Sequence, residues 1–381
     1  MRAYGETTLA ADIRSRRVPN VNGLNLHVLE AGEPGKPCLL LLHGFPELAY
    51  SWRKVMPPLA AAGYHVIAPD QRGYGRTTGT DGGYDVDLGP YRMLNLARDA
   101  VGLLAALGLG SVTAVVGHDF GSSVAAWCAL VRPDVFRSVA LMSAPFSGPP
   151  SLPFDTAGRD LTEAETVSPV TRITPALAAL KPPRKHYHAY YATREADADM
   201  RHCPEGVHAF LRAYYHMKSG DWPGNTPYRL QGWTADELAK LPHYYVMPQD
   251  LGMAATVAAA MPSPAQIAGC RWLTEAELAV YAGEYARTGF QGGLNWYRAR
   301  LVPRLDAEHE LYSGRAIDVP ACFISGASDW GVYQTPRAVE TMATRICTHY
   351  RGTHLIPGAG HWVQQERPEE VVRLLIGFLE N

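Results

Sequence analysis

A chain of 381 residues, 47% hydrophobic and 19% charged, has material for one large folded core with an insertion, or for two domains. Its formal net charge of −2 gives no electrostatic footprint for nucleic acid or an anionic membrane surface, and no run approaches the roughly 18–20 apolar residues that span a bilayer. The charged first 17 residues lack the apolar segment of a secretory signal, and the six cysteines (38, 128, 203, 270, 322 and 347) include no CxxC pair; Cys38, Cys128 and Cys322 fall within apolar runs and read as small buried hydrophobes, so a cytoplasmic enzyme with reduced thiols is expected.

In chain order, residues 1–17 read as a loose arm. Leu24, Leu26 and Val28 then alternate with Asn25 and His27, the period of a half-buried strand. After a Gly/Pro turn, Cys38-Leu39-Leu40-Leu41-Leu42 is a continuous apolar run of the kind central strands carry. Residues 65–68 form a further short strand, and Leu94, Ala97, Val101 and Leu104 recur at helical spacing. A β-branched run at 112–116 predicts a buried strand, followed by an Ala-rich helix that ends before Pro133, and residues 138–142 predict another strand. From Pro145 to about Ser313 the alternation stops. This stretch opens with a Pro/Gly-rich linker at 146–153 and reads as helical and aromatic, with helix starts at the pairs Thr234/Glu237 and Thr274/Glu277. Its Ala-rich segment 252–261 fits no assigned element. Strands return at 319–324 and 351–356, and Val371, Val372, Leu375, Phe378 and Leu379 mark a final amphipathic helix. The pattern predicts an α/β fold with a mostly parallel central sheet, helices on both faces and an inserted helical cap. Residues 1–146 and 314–381 would form the core, and 147–313 the cap.

The most informative residues are Gly117-His118-Asp119-Phe120-Gly121, between the 112–116 strand and its helix. A residue flanked by glycines at such a turn sits on a sharp bend with its side chain pushed out over the sheet edge. This is the nucleophile elbow of the α/β-hydrolase fold, normally G-x-S-x-G, a motif this chain lacks. A serine attacking a saturated carbon leaves an ether that water cannot easily cleave. A carboxylate leaves an ester, which an activated water can hydrolyse. Asp119 at the apex therefore points to substitution at an sp³ carbon, in an epoxide or an alkyl halide. The turn His43-Gly44-Phe45-Pro46 should lie beside the elbow, so that Phe45 and Phe120 N–H groups form an oxyanion hole. A cis Phe45–Pro46 bond suits that turn. His361, in Gly358-Ala359-Gly360-His361-Trp362, is the only histidine after the last predicted strand and is the expected base. Asp329, following the 319–324 strand, is its expected orienting acid, because the other common placement holds Ser143-Ala144-Pro145 and no carboxylate. His43 and His118 read as loop-fixing hydrogen bonders.

Taken together, His43-Gly44-Phe45-Pro46-Glu47, Tyr50-Ser51-Trp52-Arg53, Asp70-x-Arg72-Gly73-Tyr74-Gly75, Gly117-His118-Asp119-x-Gly121 and Gly360-His361-Trp362 resemble the α/β-hydrolase-fold epoxide hydrolases. That resemblance implies two cap tyrosines that protonate the opening ring. Tyr297, in Asn295-Trp296-Tyr297-Arg298, matches one; Tyr187, with Tyr191 in reserve, matches the other. Pro46, Tyr191, Trp296, Trp330 and Trp362 are the expected substrate contacts. The implied reaction is epoxide plus water to vicinal diol, with no cofactor and no metal. His186, His188, His202, Cys203 and His208 cluster in the cap at spacings that match no familiar ligand set. The expected partner is a small hydrophobic epoxide, not nucleic acid or membrane, with a homodimer left open. A haloalkane dehalogenase is the first alternative, but Phe120 stands where those enzymes carry a tryptophan whose indole N–H binds halide, and the arginine of fluoroacetate dehalogenases is absent too. A non-catalytic ligand receptor on the same fold is a more distant one.

Overall fold

The computed structural model describes residues 4–5, 7–150 and 168–380. Ten strands occur among them: β1 (Arg14–Val21), β2 (Leu24–Ala31), β3 (Cys38–Leu42), β4 (His65–Pro69), β5 (Ala114–His118), β6 (Val139–Met142), β7 (Arg184–His186), β8 (Val246–Pro248), β9 (Ile317–Gly326) and β10 (Cys347–Ile356). Eight form one sheet in the order β1-β2-β4-β3-β5-β6-β9-β10. The β1–β2 and β2–β4 pairs are antiparallel and the rest parallel. Strands β3 to β6 are buried at every residue, which is why they are almost wholly apolar, with a histidine only at the start of β4 and the end of β5. Two pairs of helices flank the sheet: Met93–Ala106 packs with Phe120–Val131, and Met56–Ala61 with Pro368–Leu379.

Residues 14–17 are not a loose arm. They begin the edge strand β1, whose burial pattern exposes Arg14, Ser15, Arg16 and Arg17 and buries only Val18 and Val21. Charge on an exposed edge strand is a common device against edge-to-edge pairing, and it hides the strand from a hydrophobicity pattern. Arg16 also pairs with Glu30 of β2 at 3.0 Å, and Tyr4, upstream, is fully buried against His27. The strand before the elbow begins two residues later than expected, because Val112 makes only an isolated bridge to Phe136. Strands β9 and β10 extend beyond 319–324 and 351–356 at both or one end.

Between β6 and β9 the described chain is mostly helical, as expected, with one addition: β7 and β8 pair as an antiparallel two-stranded ribbon. Three-residue strands are too short to show a period. The Ala-rich segment contains the helix Met253–Ala258. Thr274 and Glu277 close a complete capping box. Thr234 accepts from Glu237 N–H, but the Glu237 carboxylate turns to Gln231 N–H and Lys240. The linker expected at 146–153 lies within the described residues only as far as Pro150. All six cysteines are free, and among the described residues no helix is long and apolar enough to cross a membrane.

Candidate active site

Asp119 stands between β5 and the helix Phe120–Val131 with φ 54° and ψ −122°, a strained conformation for a side-chain-bearing residue. The flanking glycines make it possible. A Cβ on Gly121 would lie 2.2 Å from the Leu42 carbonyl oxygen, so only glycine lets the helix start press against the end of β3. The carboxylate is thereby held at the sheet's edge, where Phe45 N–H donates to Asp119 Oδ1 at 3.0 Å. The Phe45–Pro46 bond is cis. Phe120 is the first residue of its helix, and its N–H belongs to the turn that lacks intrahelical acceptors.

His361 lies between two carboxylates. Its Nδ1 is 3.1 and 3.2 Å from the oxygens of Asp329, and its Nε2 is 3.2 Å from Asp119 Oδ2. Asp329 is fixed in turn by Gly331 N–H at 2.7 Å and Ser325 Oγ at 2.9 Å. The His361 main chain is also clamped: its N–H donates to the Lys218 carbonyl at 2.8 Å, and its carbonyl accepts from Ser143 Oγ at 3.1 Å and His118 Nε2 at 2.7 Å. His118 Nδ1 faces Glu47 Oε2 at 2.7 Å, and His43 bonds Gly44 O and Gln71 N–H. Both histidines therefore brace loops. Burial pushes the Asp119 carboxyl upward, but contact with His361, aided by the charges of Lys218 and His118, holds it well below the usual carboxylate range. Asp329 is likewise lowered, with burial outweighed by His361 and the Gly331 N–H. On His361, burial and Lys218 disfavour the proton while Asp329 and Asp119 favour it, and the net effect is upward.

A cavity of about 850 Å³ opens over Asp119 and is lined by Phe120, Tyr187, His188, Tyr297 and Gln334 among others. The rings of Tyr187, which opens the helix Tyr187–Tyr191, and Tyr297, from the helix Gln291–Arg300, are 6.1 Å apart. Tyr297 packs edge-on against Phe120 at 5.0 Å and Phe45 at 5.6 Å. Burial, and then the charge of Asp119, raises both phenols well above their ordinary value, so each hydroxyl keeps its proton. The Tyr187 hydroxyl donates to Gln334 Oε1 at 3.2 Å.

Residues 37–182 match the family model described as alpha/beta hydrolase fold. The chain is 35% identical over 376 residues to epoxide hydrolase A of Mycobacterium tuberculosis, with 96% of this chain and 97% of that protein covered. It is 31% identical over 370 residues to epoxide hydrolase 2 of Siraitia grosvenorii, covering 95% and 97%. The solved epoxide hydrolase from an endophytic Streptomyces superposes with a TM-score of 0.76 at 32% identity, covering 97% and 96%. The chain belongs to the α/β-hydrolase-fold epoxide hydrolases. Neither the dehalogenase nor the receptor alternative is favoured by these relatives.

Within this epoxide hydrolase fold, the expected substrate contacts need correction. Pro46, Tyr191, Trp296, Trp330 and Trp362 do not line the cavity over Asp119. Each is built into the frame around it. The Pro46 carbonyl accepts from Tyr215 OH, Tyr191 OH donates to Tyr214 OH at 3.1 Å, Trp296 Nε1 donates to Arg72 O and Trp362 Nε1 to Tyr215 O. Trp330 is 3% exposed and packs on Tyr228. The missed wall residues include His188, Gln334 and Arg300. His188 was visible as Tyr187's neighbour, whereas Gln334 and Arg300 belong to no pattern. Among the described residues no three His, Cys, Asp or Glu side chains gather in a metal-holding arrangement.

Proposed function

We propose that this chain converts an epoxide and water to a vicinal diol in two steps, through an ester on Asp119. The observation that carries this reading is a single cavity shared by an elbow carboxylate and two protonated tyrosines. Ionised Asp119 attacks a ring carbon and the ring C–O bond breaks. Tyr297 and Tyr187 hydrogen-bond the departing oxygen, and one of them gives it a proton. His361 then takes a proton from water, and the hydroxide attacks the Asp119 ester carbonyl. Phe45 and Phe120 N–H groups hold the resulting oxyanion. The ester C–O bond breaks to free the diol, the imidazolium proton returns to the phenolate, and Asp329 stabilises the imidazolium in between. The cap, residues 147–313 in this reading, supplies both tyrosines. The substrate is a small hydrophobic epoxide, and buried free thiols fit a cytoplasmic setting.

Assaying diol formation from a panel of aryl and alkyl epoxides, with bromoalkanes as the dehalogenase control, tests the reaction. A single turnover in ¹⁸O-water tests the mechanism. The label is expected in Asp119 and not in the first diol, and a fully labelled first diol would mean that water attacks the epoxide directly.

A further inference from the structure

Lys218 is the last residue of the 13-residue cap helix Gly206–Lys218 and is 4% exposed. Its ammonium lies 5.2 Å from the Tyr245 ring, 5.3 Å from Trp362, 5.5 Å from Tyr214 and 5.7 Å from Tyr244. Among the described residues it makes no ion pair with a carboxylate within 4.0 Å. Burying an unpaired cation is costly; four aromatic faces and a helix C-terminus offset that cost. The cage sits directly behind the site. Trp362 follows His361 in sequence, the Lys218 carbonyl holds the His361 N–H at 2.8 Å, and a Cβ on Gly360 would be 2.5 Å from that carbonyl oxygen. Asp119, Asp329 and His361 all feel the Lys218 charge.

We infer that Lys218 is a positioning residue whose fixed positive charge keeps His361 unprotonated while the ester on Asp119 awaits hydrolysis. The inference rests on the roles proposed above for Asp119 and His361. Before attack, two carboxylates flank the imidazole and favour its proton. Once Asp119 is esterified, its charge is gone, and Asp329 and Lys218 act on His361 in opposite directions. The other groups facing the imidazole are His118, with a ring centroid 4.9 Å away and Glu47 behind it, and Glu366, which accepts N–H bonds from Gly360 and Trp362. The groups facing Lys218 are the phenols of Tyr214, Tyr244 and Tyr245, all raised above their ordinary value by burial and hence neutral. Lys218 is therefore the cation of this set without a carboxylate at its side.

The test is the pH dependence of ester decay, followed by rapid quench and intact mass after a single alkylating turnover of the full-length protein. Lys218→Met should still form the ester, but the acid limb of its hydrolysis should move up by about one pH unit or more, the usual effect of removing a nearby charge. Lys218→Gln, a second neutral variant, should move it the same way, whereas Lys218→Arg should keep it near the wild-type position. A folded neutral variant with an unmoved limb overturns the inference, because a merely structural lysine would lower the rate equally at every pH. Absence of any adduct in the wild type and every variant would overturn the ester mechanism itself, and this inference with it.

Discussion

A carboxylate nucleophile is useful only if its ester can be broken again, and in the mechanism proposed above separate side chains serve the two halves. His361 faces both Asp119 and Asp329 but has no part in opening the ring. His361→Gln should therefore alkylate and stop, giving a near-stoichiometric mass shift with a reactive epoxide; an unmodified protein after exposure would count against this division. In that proposed mechanism the tyrosines belong to the first half. Removing one hydroxyl leaves the other donor, so Tyr297→Phe should slow alkylation by about 10²–10⁴-fold or less, the scale of general acid catalysis. The Tyr187→Phe/Tyr297→Phe double variant should nearly abolish alkylation, and stopped-flow ester formation near the wild-type rate in the folded double variant would sink the assignment. Tyr191, four residues after Tyr187 and so on the same helix face, is a less suitable donor because it does not line the cavity over Asp119, whereas Tyr187 does.

Elements differ in how openly the sequence declares them. Strands β3 to β6 were legible because burial on both faces leaves no polar residue to break the run. The elbow was legible because the close approach of its backbone tolerates only glycine around Asp119. Edge strand β1 was not, since its exposed arginines mask it, and neither was the β7–β8 ribbon. The aromatic residues beside catalytic positions misled for a related reason. Trp362 and Trp296 are sequence neighbours of His361 and Tyr297, yet their indoles turn away to bond backbone carbonyls. The docking of the His361 loop onto the end of the helix Gly206–Lys218 joins segments far apart in sequence and leaves no local signal. It makes a prediction at Gly360, where a Cβ would stand 2.4 Å from the Ser219 carbonyl carbon and 2.5 Å from Gly220 N. Both neighbours are backbone and cannot swing aside. Gly360→Ala should push the loop off the helix, cost about 1–3 kcal/mol as overpacking does, and slow ester hydrolysis far more than alkylation. Thermal melts and adduct-decay rates read the two effects, and equal slowing of both half-reactions would refute the coupling.

Across the whole molecule, a buried guanidinium ties the turn after β3 to the helical segment between β6 and β9. Arg53, 3% exposed, follows the core turn Ala49–Trp52. Its Nε and one terminal nitrogen reach Glu277 Oε1 of the helix Glu275–Thr288 at 3.0 and 2.9 Å, and its other terminal nitrogen reaches Gln365 Oε1, beyond the His361 loop, at 2.7 Å. Gln365 also donates to Glu47, the partner of His118, which in turn holds the His361 carbonyl. The helix Glu275–Thr288 is thus wired to His361 through fixed polar contacts. Removing one partner of a buried pair strands the other, at a cost of roughly 3–5 kcal/mol. Arg53→Met should fall at the lower end of that range, because Lys54 at 3.3 Å and the Thr274 N–H still serve Glu277. The loss should depend on pH in a definite direction. Burial raises the Glu277 carboxyl, but Arg53, the Thr274 N–H and Lys54 together hold it below its ordinary value of 4.5. A lowered folded-state value means that the stability it contributes is present above the unfolded value and is lost as pH falls through the folded one. Part of that contribution disappears with Arg53. The stability gap between wild type and Arg53→Met should therefore be widest near neutral pH and narrow as the pH falls below 4.5. Denaturant melts at both ends of that range decide it: a gap of the same size at pH 7 and pH 4 would show that Arg53 acts by packing alone.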